Sequence, residues 1–504
     1  MNENTFPSNN YKVDMQNIQI QTYGQRLYKD QSFYEYLLEF LLVFISKKGT
    51  KTNISEEGFS FPIHLANEKL AYNLVPNMGL KRFIFLNRSE PDKRFKVDTE
   101  ALEDHRAHMK KRINVSNNTI NEDFIVDVLQ DLLYGFNAII GKRSWFAQAL
   151  LPVAPELIFC EAIGSKKTRE ILTYEPGAKD VDYSFEFNGR YFMARGGEVY
   201  YLHVLQGLVE KGEYKDELER HLKTLINSVP QLSKISEFIQ GTWEDYHYSG
   251  DNQKEIQKTM EWIPDNYKER SSFTIIELKN LLSSLINPLE MIDLLGSLII
   301  LQIMRMMSLQ ASKLLKNEDD LVWIIDLTDD PTGQVRKIAA SQYSKVEEDV
   351  FRAVHTADID SYIAASSKLK DKPREMVEPK LYEDASKDTN RLIRKLGKDI
   401  GFIVPPKGAN MRFSLNEELV KLLVITLIEP GERILLNTFL EKCYDHFKMI
   451  IGPKQAKVFW EENKDVDVSP FNKNLDKFQQ MLKDCGFLRD LSDATSIVEN
   501  PFKG

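Results

Sequence analysis

Leu294–Met307 (LLGSLIILQIMRMM) is the longest apolar run in the chain, and it contains Gln302 and Arg305. A shorter run, Phe40–Ile45, lies beside Glu35, Glu39 and Lys47. Both fall short of the ~20 apolar residues that a membrane span needs, so the rest of the chain has to cover them and no membrane contact is expected. A chain of 504 residues is too long for one ordinary core, which points to two to four domains. Apolar residues at 42% and charged residues at 28% fit a soluble globular protein. Three cysteines without a C-x-x-C pair argue against a disulfide framework or a cysteine zinc site. With no secretory order in the first thirty residues, the expected compartment is a reducing cytoplasm.

Charge divides the chain. Residues 1–150 hold 19 Lys/Arg against 18 Asp/Glu, residues 385–504 hold 19 against 17, and residues 151–384 hold 28 against 40. An acidic middle repels nucleic acid, so any DNA contact is expected from the two ends.

The expected fold class is mainly α and multidomain, with small β-hairpins. Residues 1–150 read as a mixed helical domain with a basic segment. Residues 151–366 read as an acidic, mainly helical middle. Within it, Asn188-Gly189 between alternating runs marks a hairpin near 183–195. Residues 367–389 are charged and poor in large apolar residues, which suits a linker. In residues 390–504, helices are expected at Glu417–Ile428, Asn437–Met449 and Pro470–Cys485. They stop at Pro430-Gly431, Gly452-Pro453 and Gly486, and a short hairpin follows around Ser492-Asp493-Ala494. Three helices and a hairpin resemble a winged helix-turn-helix domain.

Four groups of residues carry candidate chemistry. Phe471, Leu475, Phe478 and Leu482 fix one face of the last helix, which leaves Asn472, Lys473, Lys477, Gln480 and Lys483 outward and Arg489 on the wing. These side chains suit base edges and phosphates, although Asp476, Asp484, Asp490 and Asp493 dilute the charge. Window 81–112 interleaves Lys93, Arg94, Lys110, Lys111, Arg112 and other bases with Phe83, Phe85 and Phe95, as a nucleic-acid groove does. The alternative there is a strand, Lys81–Leu86, with its phenylalanines in the core. Arg195-Gly196-Gly197 precedes a helix, so Arg195 and Glu198 form a possible interaction site; the plainer reading is a tight corner. SFTIIELKN (272–280), with Asp265 upstream, resembles the metal site of PD-D/E-x-K nucleases, which would give Asp265, Glu277 and Lys279 catalytic roles. That site needs a strand, whereas Thr274-x-x-Glu277 also reads as a helix capping box.

GFNAIIGKRS (135–144) misses the phosphate-loop spacing, so no cofactor is assigned. His105 and His108, flanked by Lys110, Lys111 and Arg112, do not read as a metal site.

RSWFAQALLPVAPEL (143–157), FMARGGEVYYLHVLQGL (192–208) and GKDIGFIVPPKGANMRFSLNEELVKLLVITLIEPGERI (397–434) are similar to accessory proteins encoded in bacterial anti-phage defence islands. The resemblance implies a multi-subunit setting with a helicase, nuclease or large ATPase, and it transfers no catalytic residue. The expected function is a non-catalytic DNA-binding and scaffolding subunit of a DNA-targeting complex. The competing readings are a metal-dependent nuclease and a winged-helix transcriptional regulator.

Overall fold

The computed structural model describes residues 5–6, 18–25, 31–75, 77–88, 96–115, 120–139, 145–159, 195–247, 256–260, 262–317, 321–366, 369–460, 467–491 and 496–503. It is mainly helical with small sheets. β1 (Thr5–Phe6) and α1 (Ile18–Tyr23) lead to α2 (Phe33–Ile45). β2 (Lys48–Thr50), β3 (Asn53–Glu56) and β4 (Leu70–Leu74) precede α3 (Met78–Phe85), α4 (Lys96–Arg112) and α5 (Glu122–Tyr134). Then come α6 (Gly196–Glu210), α7 (Lys215–Ile226), α8 (Pro230–His247), β5 (Ile256–Thr259), β6 (Ile263–Pro264), α9 (Ser271–Ser283) and α10 (Pro288–Leu315). β7 (Trp323–Ile324), α11 (Gln334–Ala353), α12 (Ile359–Ala365) and α13 (Arg374–Asp399) follow, then β8 (Ile403–Val404) and β9 (Arg412–Phe413). The chain closes with α14 (Glu417–Leu427), β10 (Arg433–Leu435), α15 (Leu436–Phe447), β11 (Met449–Ile450), α16 (Pro453–Trp460), α17 (Phe471–Asp484), β12 (Leu488–Asp490) and β13 (Ser496–Glu499).

The long apolar run is the centre of α10. Leu294–Ser308 is buried without a break, and α2, α11, α13 and α14 pack around it. By length and composition α10 could cross a bilayer, but 89% of its apolar window lies inside the protein. Its polar interruptions are used internally. Gln302 Nε2 donates to Glu277, and Arg305 donates to the His446 carbonyl and to Thr274 Oγ1. Buried polar groups need such partners.

One apolar cluster extends from Phe6 to Val498, across all the expected domain boundaries. The expected linker 367–389 is corrected by α13, a single helix over Arg374–Asp399. Val377, Ala385, Ile393 and Leu396 are buried where α13 meets α1, α10 and α11. A few apolar residues at helical spacing suffice to dock a helix that is otherwise charged. The expected strand Lys81–Leu86 is also corrected: these residues lie in α3 and the turn after it. A short apolar run does not distinguish strand from helix by period. The hairpin expected at 183–195 lies outside the described residues, apart from Arg195.

Near the C-terminus, β10, β13 and β12 form an antiparallel sheet with β13 in the middle. Val498 pairs with both Ile434 and Leu488. Phe439 of α15 and Phe478 of α17 stack, with ring centroids 6.2 Å apart. α14 is buried from Leu422 to Ile428, between this unit and α9 and α10. β11 pairs in parallel with β7 and stitches the unit to the body a second time.

Candidate nucleic-acid interface

The first turn of α17 is locked to the chain segment that follows β7. Asn474 is fully buried. Its Nδ2 donates to the Ile325 carbonyl (2.9 Å) and the Ile451 carbonyl (2.8 Å), and its Oδ1 accepts from the Leu327 amide (2.8 Å). The next residue of that segment to be anchored is Asp326. Its carboxylate accepts from Thr328 Oγ1 (2.6 Å), Arg336 Nε (3.0 Å) and Arg412 Nε (2.5 Å). Burial alone would push the Asp326 carboxyl up, but these donors outweigh it and hold the group below its ordinary value. Residues 325–336 are thereby fixed against α17. Asn474 was missed by sequence reasoning, although a lone polar residue on an apolar helix face is the signal that could have found it.

Between the two segments lies a cleft of about 540 Å³, lined by Thr328, Asp330, Gln334, Ser469, Lys473 and Lys477 among others. The N-terminus of α11 opens into it, and no side chain caps its Gly333. The N-terminus of α17 also borders it, at Pro470, again without a side-chain cap. Helix N-termini present unsatisfied amides and the positive end of the helix dipole; at α17 the Phe471 and Asn472 amides already donate to the Val468 and Ser469 carbonyls, so the cleft combines the open end of α11 and the dipole of α17 with two lysines.

Acidic residues oppose that field. Lys477 pairs with Asp329 at 3.0 Å. Asp330 holds the Thr332 amide and hydroxyl, and these bonds, with Lys473 nearby, keep its carboxyl below the ordinary range. Farther along α17, Lys483 pairs with Asp490 (2.6 Å) and Gln480 donates to Asp484 (2.7 Å); Arg489 pairs with Glu499 (3.3 Å). Asn472, Lys473, Gln480, Lys483 and Arg489 are exposed as expected, whereas Lys477 is half-buried.

The other expected sites dissolve on inspection. In window 81–112, Lys93 and Arg94 lie outside the described residues. Arg82 is buried beside the Trp145 and Trp243 rings and bonds Asp98 (3.3 Å). Lys110 pairs with Asp123 and Arg112 with Asp245, while Lys111 is exposed beside them. Arg88 and Arg106 pair with Asp131 and Asp127. Among the described residues, the window's positive charge is thus matched mainly by acids of α5 and α8. His105 is buried beside Trp243, and His108 bonds the Asp104 carbonyl.

Arg195 and Glu198 are also interior, which removes them as an interaction site. Glu198 is fully buried and takes Arg195 Nε (3.3 Å), Tyr72 Oη (2.5 Å) and Lys258. The glycines beside them are a packing corner: a Cβ on Gly196 would meet the Tyr36 ring, and one on Gly197 would meet the backbone of α2.

The nuclease constellation is corrected as well. Residues 271–283 form α9 where a strand is required, and the helix opens before Thr274 rather than at it. Asp265 pairs with Lys268 (2.6 Å) and Lys279 with Glu429 (3.0 Å). Glu277 is fully buried and accepts from His446 Nδ1 (2.9 Å). The three side chains do not converge. Among the described residues, no group of three or more His, Cys, Asp or Glu is placed to hold a metal ion.

Glu277 belongs instead to a polar network shared by α6, α9, α10 and α15. His203 donates from Nδ1 to the Tyr267 carbonyl (2.6 Å), so its Nε2 accepts from Thr274 Oγ1 (2.9 Å), which in turn accepts from Arg305 Nη2 (3.3 Å). Burial and the Arg305 charge pull the His203 pKa down to about 3, so the ring is neutral. Burial lowers Arg305 to about 10, with Glu277 supporting its charge.

Comparison of the chain with protein-family models, curated proteins and solved structures found no match.

Proposed function

We propose that the C-terminal unit is a winged helix and that the protein is a non-catalytic DNA-binding and scaffolding subunit of a larger DNA-targeting complex. The unit runs helix, strand, helix, strand, helix, helix, strand, strand; β11 pairs outside the unit with β7, and the edge strand β10 pairs with the last strand β13. α17 takes the place of the groove-reading helix, and Asn472, Lys473 and Gln480 are on its exposed face. One observation carries the reading: Lys473, Lys477 and the N-termini of α11 and α17 converge on a single cleft. A backbone phosphate fits that field. The phosphate would compete with Asp329 for Lys477, and an exposed ion pair of this kind is worth only ~0–1 kcal/mol. The body supplies the scaffold: α14 is built into the common core, so the unit is held in a fixed orientation.

The test is binding of the full chain to a short duplex across a salt series. Removing the unit is not a clean control, because it would strip α14 from α9 and α10. Lys473→Ala with Lys477→Ala is expected to reduce the slope of log K against log[salt] by about 1.8, two phosphate contacts at ~0.9 each. Asp329→Asn with Asp330→Asn is expected to tighten binding. If neither the wild type nor this aspartate variant binds duplex at low salt, the DNA reading fails and the face is a protein dock.

A further inference from the structure

Among the described residues, eleven large apolar side chains are exposed, and four of them lie on or next to one short helix. Ile120, Phe124, Val128 and Leu132 are 41%, 58%, 45% and 44% exposed. Phe124, Val128 and Leu132 recur every fourth residue, which lines them up along one face of α5, and Ile120 lies just before its N-cap. The opposite face carries the fold: Val126, Gln130 and Leu133 are buried where α5 meets α3 and α4, and Gln130 Nε2 bonds the Phe83 carbonyl (2.6 Å). Single exposed apolar residues need no explanation, but a three-residue stripe on one helix, with a fourth apolar residue beside its start, marks a contact surface.

The flank of the stripe identifies the partner's chemistry. α5 carries Glu122, Asp123, Asp127 and Asp131 and no basic residue. The three aspartates also recur every fourth residue, so they form a row beside the stripe. Lys110, Arg106 and Arg88 reach them from the body, yet the side chains of Asp123, Asp127 and Asp131 stay 61%, 61% and 66% exposed. Outer lone pairs therefore remain for a second set of cations. An antiparallel second copy would bring two aspartate rows edge to edge, which costs energy. An anionic lipid surface would meet the same repulsion, and membrane-surface helices carry Lys and Arg rather than Asp on their polar face.

We propose that this face of α5 docks an amphipathic helix of a protein partner, one with apolar residues at three- and four-residue spacing and Lys or Arg along one edge. It uses no residue of the cleft, so it stands independently of the DNA reading.

The experiment measures fluorescence anisotropy of two labelled synthetic helical peptides on the full chain. Both have a leucine stripe; one has lysines along its edge and its twin has glutamates there. The lysine peptide is expected to bind about tenfold or more tighter than its twin. Phe124→Ser with Val128→Ser and Leu132→Ser is expected to weaken it by about tenfold or more. These side chains are only about half covered, so circular dichroism should be unchanged and thermal melting should fall only modestly. Asp123→Asn with Asp127→Asn and Asp131→Asn should shrink the difference between the twins. Equal binding of the twins, or binding that survives the triple serine change, overturns the proposal. So does a dimer in light scattering, or co-sedimentation with vesicles containing phosphatidylserine, that the serine variant abolishes.

Discussion

Replacing Gly197 with Ala would place a methyl group 2.4 Å from the Phe40 nitrogen, 2.5 Å from the Tyr36 carbonyl oxygen and 2.6 Å from Glu39 Cβ. The first two atoms are backbone of α2 and cannot rotate away. Ordinary contact lies beyond about 3.4 Å, so α2 has to move about 1 Å off α6. That movement opens the aromatic contacts between the helices, including Phe40 against Tyr200 at 5.1 Å. It also strains the bond from the Gly197 amide to Glu39 Oε2 (2.9 Å). Overpacking costs about 1–3 kcal/mol, and a weakened bond to a buried carboxylate adds about 1–3 kcal/mol. The expected loss is therefore about 2–6 kcal/mol. Gly241, inside α8, is the internal control: a Cβ there meets nothing within 4 Å. Gly241→Ala is expected to stabilise by up to about 1 kcal/mol through helix propensity. Urea unfolding followed by tryptophan fluorescence and circular dichroism compares the two. If Gly197→Ala lies within about 0.5 kcal/mol of wild type, or Gly241→Ala is equally damaging, the packing account of the glycine corner is wrong.

Glu277→Ala removes the acceptor of His446 Nδ1 and Gln302 Nε2 and the carboxylate that supports buried Arg305, so a loss of about 3–5 kcal/mol is expected in thermal or urea unfolding. Glu277→Gln, which keeps the shape, should lose less. His203 has a folded pKa of about 3, far below the ordinary ~6.5, so the unfolded chain takes up a proton first as pH falls. Its contribution is fully present above about pH 6.5 and declines by about 1.4 kcal/mol per pH unit between there and pH 3. His203→Gln should flatten the acid limb of a stability–pH profile measured over that range; an unchanged slope would refute the neutral, buried assignment.

Some of this architecture is written locally. The helices expected at Glu417–Ile428 and Pro470–Cys485 are α14 and α17, shifted by a residue at their ends. Apolar period, capping residues and stops such as Gly486 act over about four residues, and they work the same way in any fold. The strength of the Leu294–Met307 run likewise required a buried segment wherever it was placed. What no local pattern contains is the identity of each side chain's partner. The basic window 81–112 resembled a nucleic-acid groove because its matching acids, Asp123, Asp127, Asp131 and Asp245, come from α5 and α8. Glu277 fitted a nuclease pattern because its sequence neighbours do; His446, from α15, is what makes it an internal acceptor. The charged stretch 367–389 resembled a linker because its few apolar residues are spread over several turns and count only when α1, α10 and α11 are there to receive them. The sequence by itself determined several of the helices, α14 and α17 among them, and where they stop. Tertiary structure alone decided which charges are neutralised, which glycines touch a neighbouring backbone, and that Lys473 and Lys477 share a cleft with the N-terminus of α11. These depend on contacts between residues in different elements, from 21 positions apart for Arg106 and Asp127 to 158 for Gly197 and Glu39, which only the folded chain brings together.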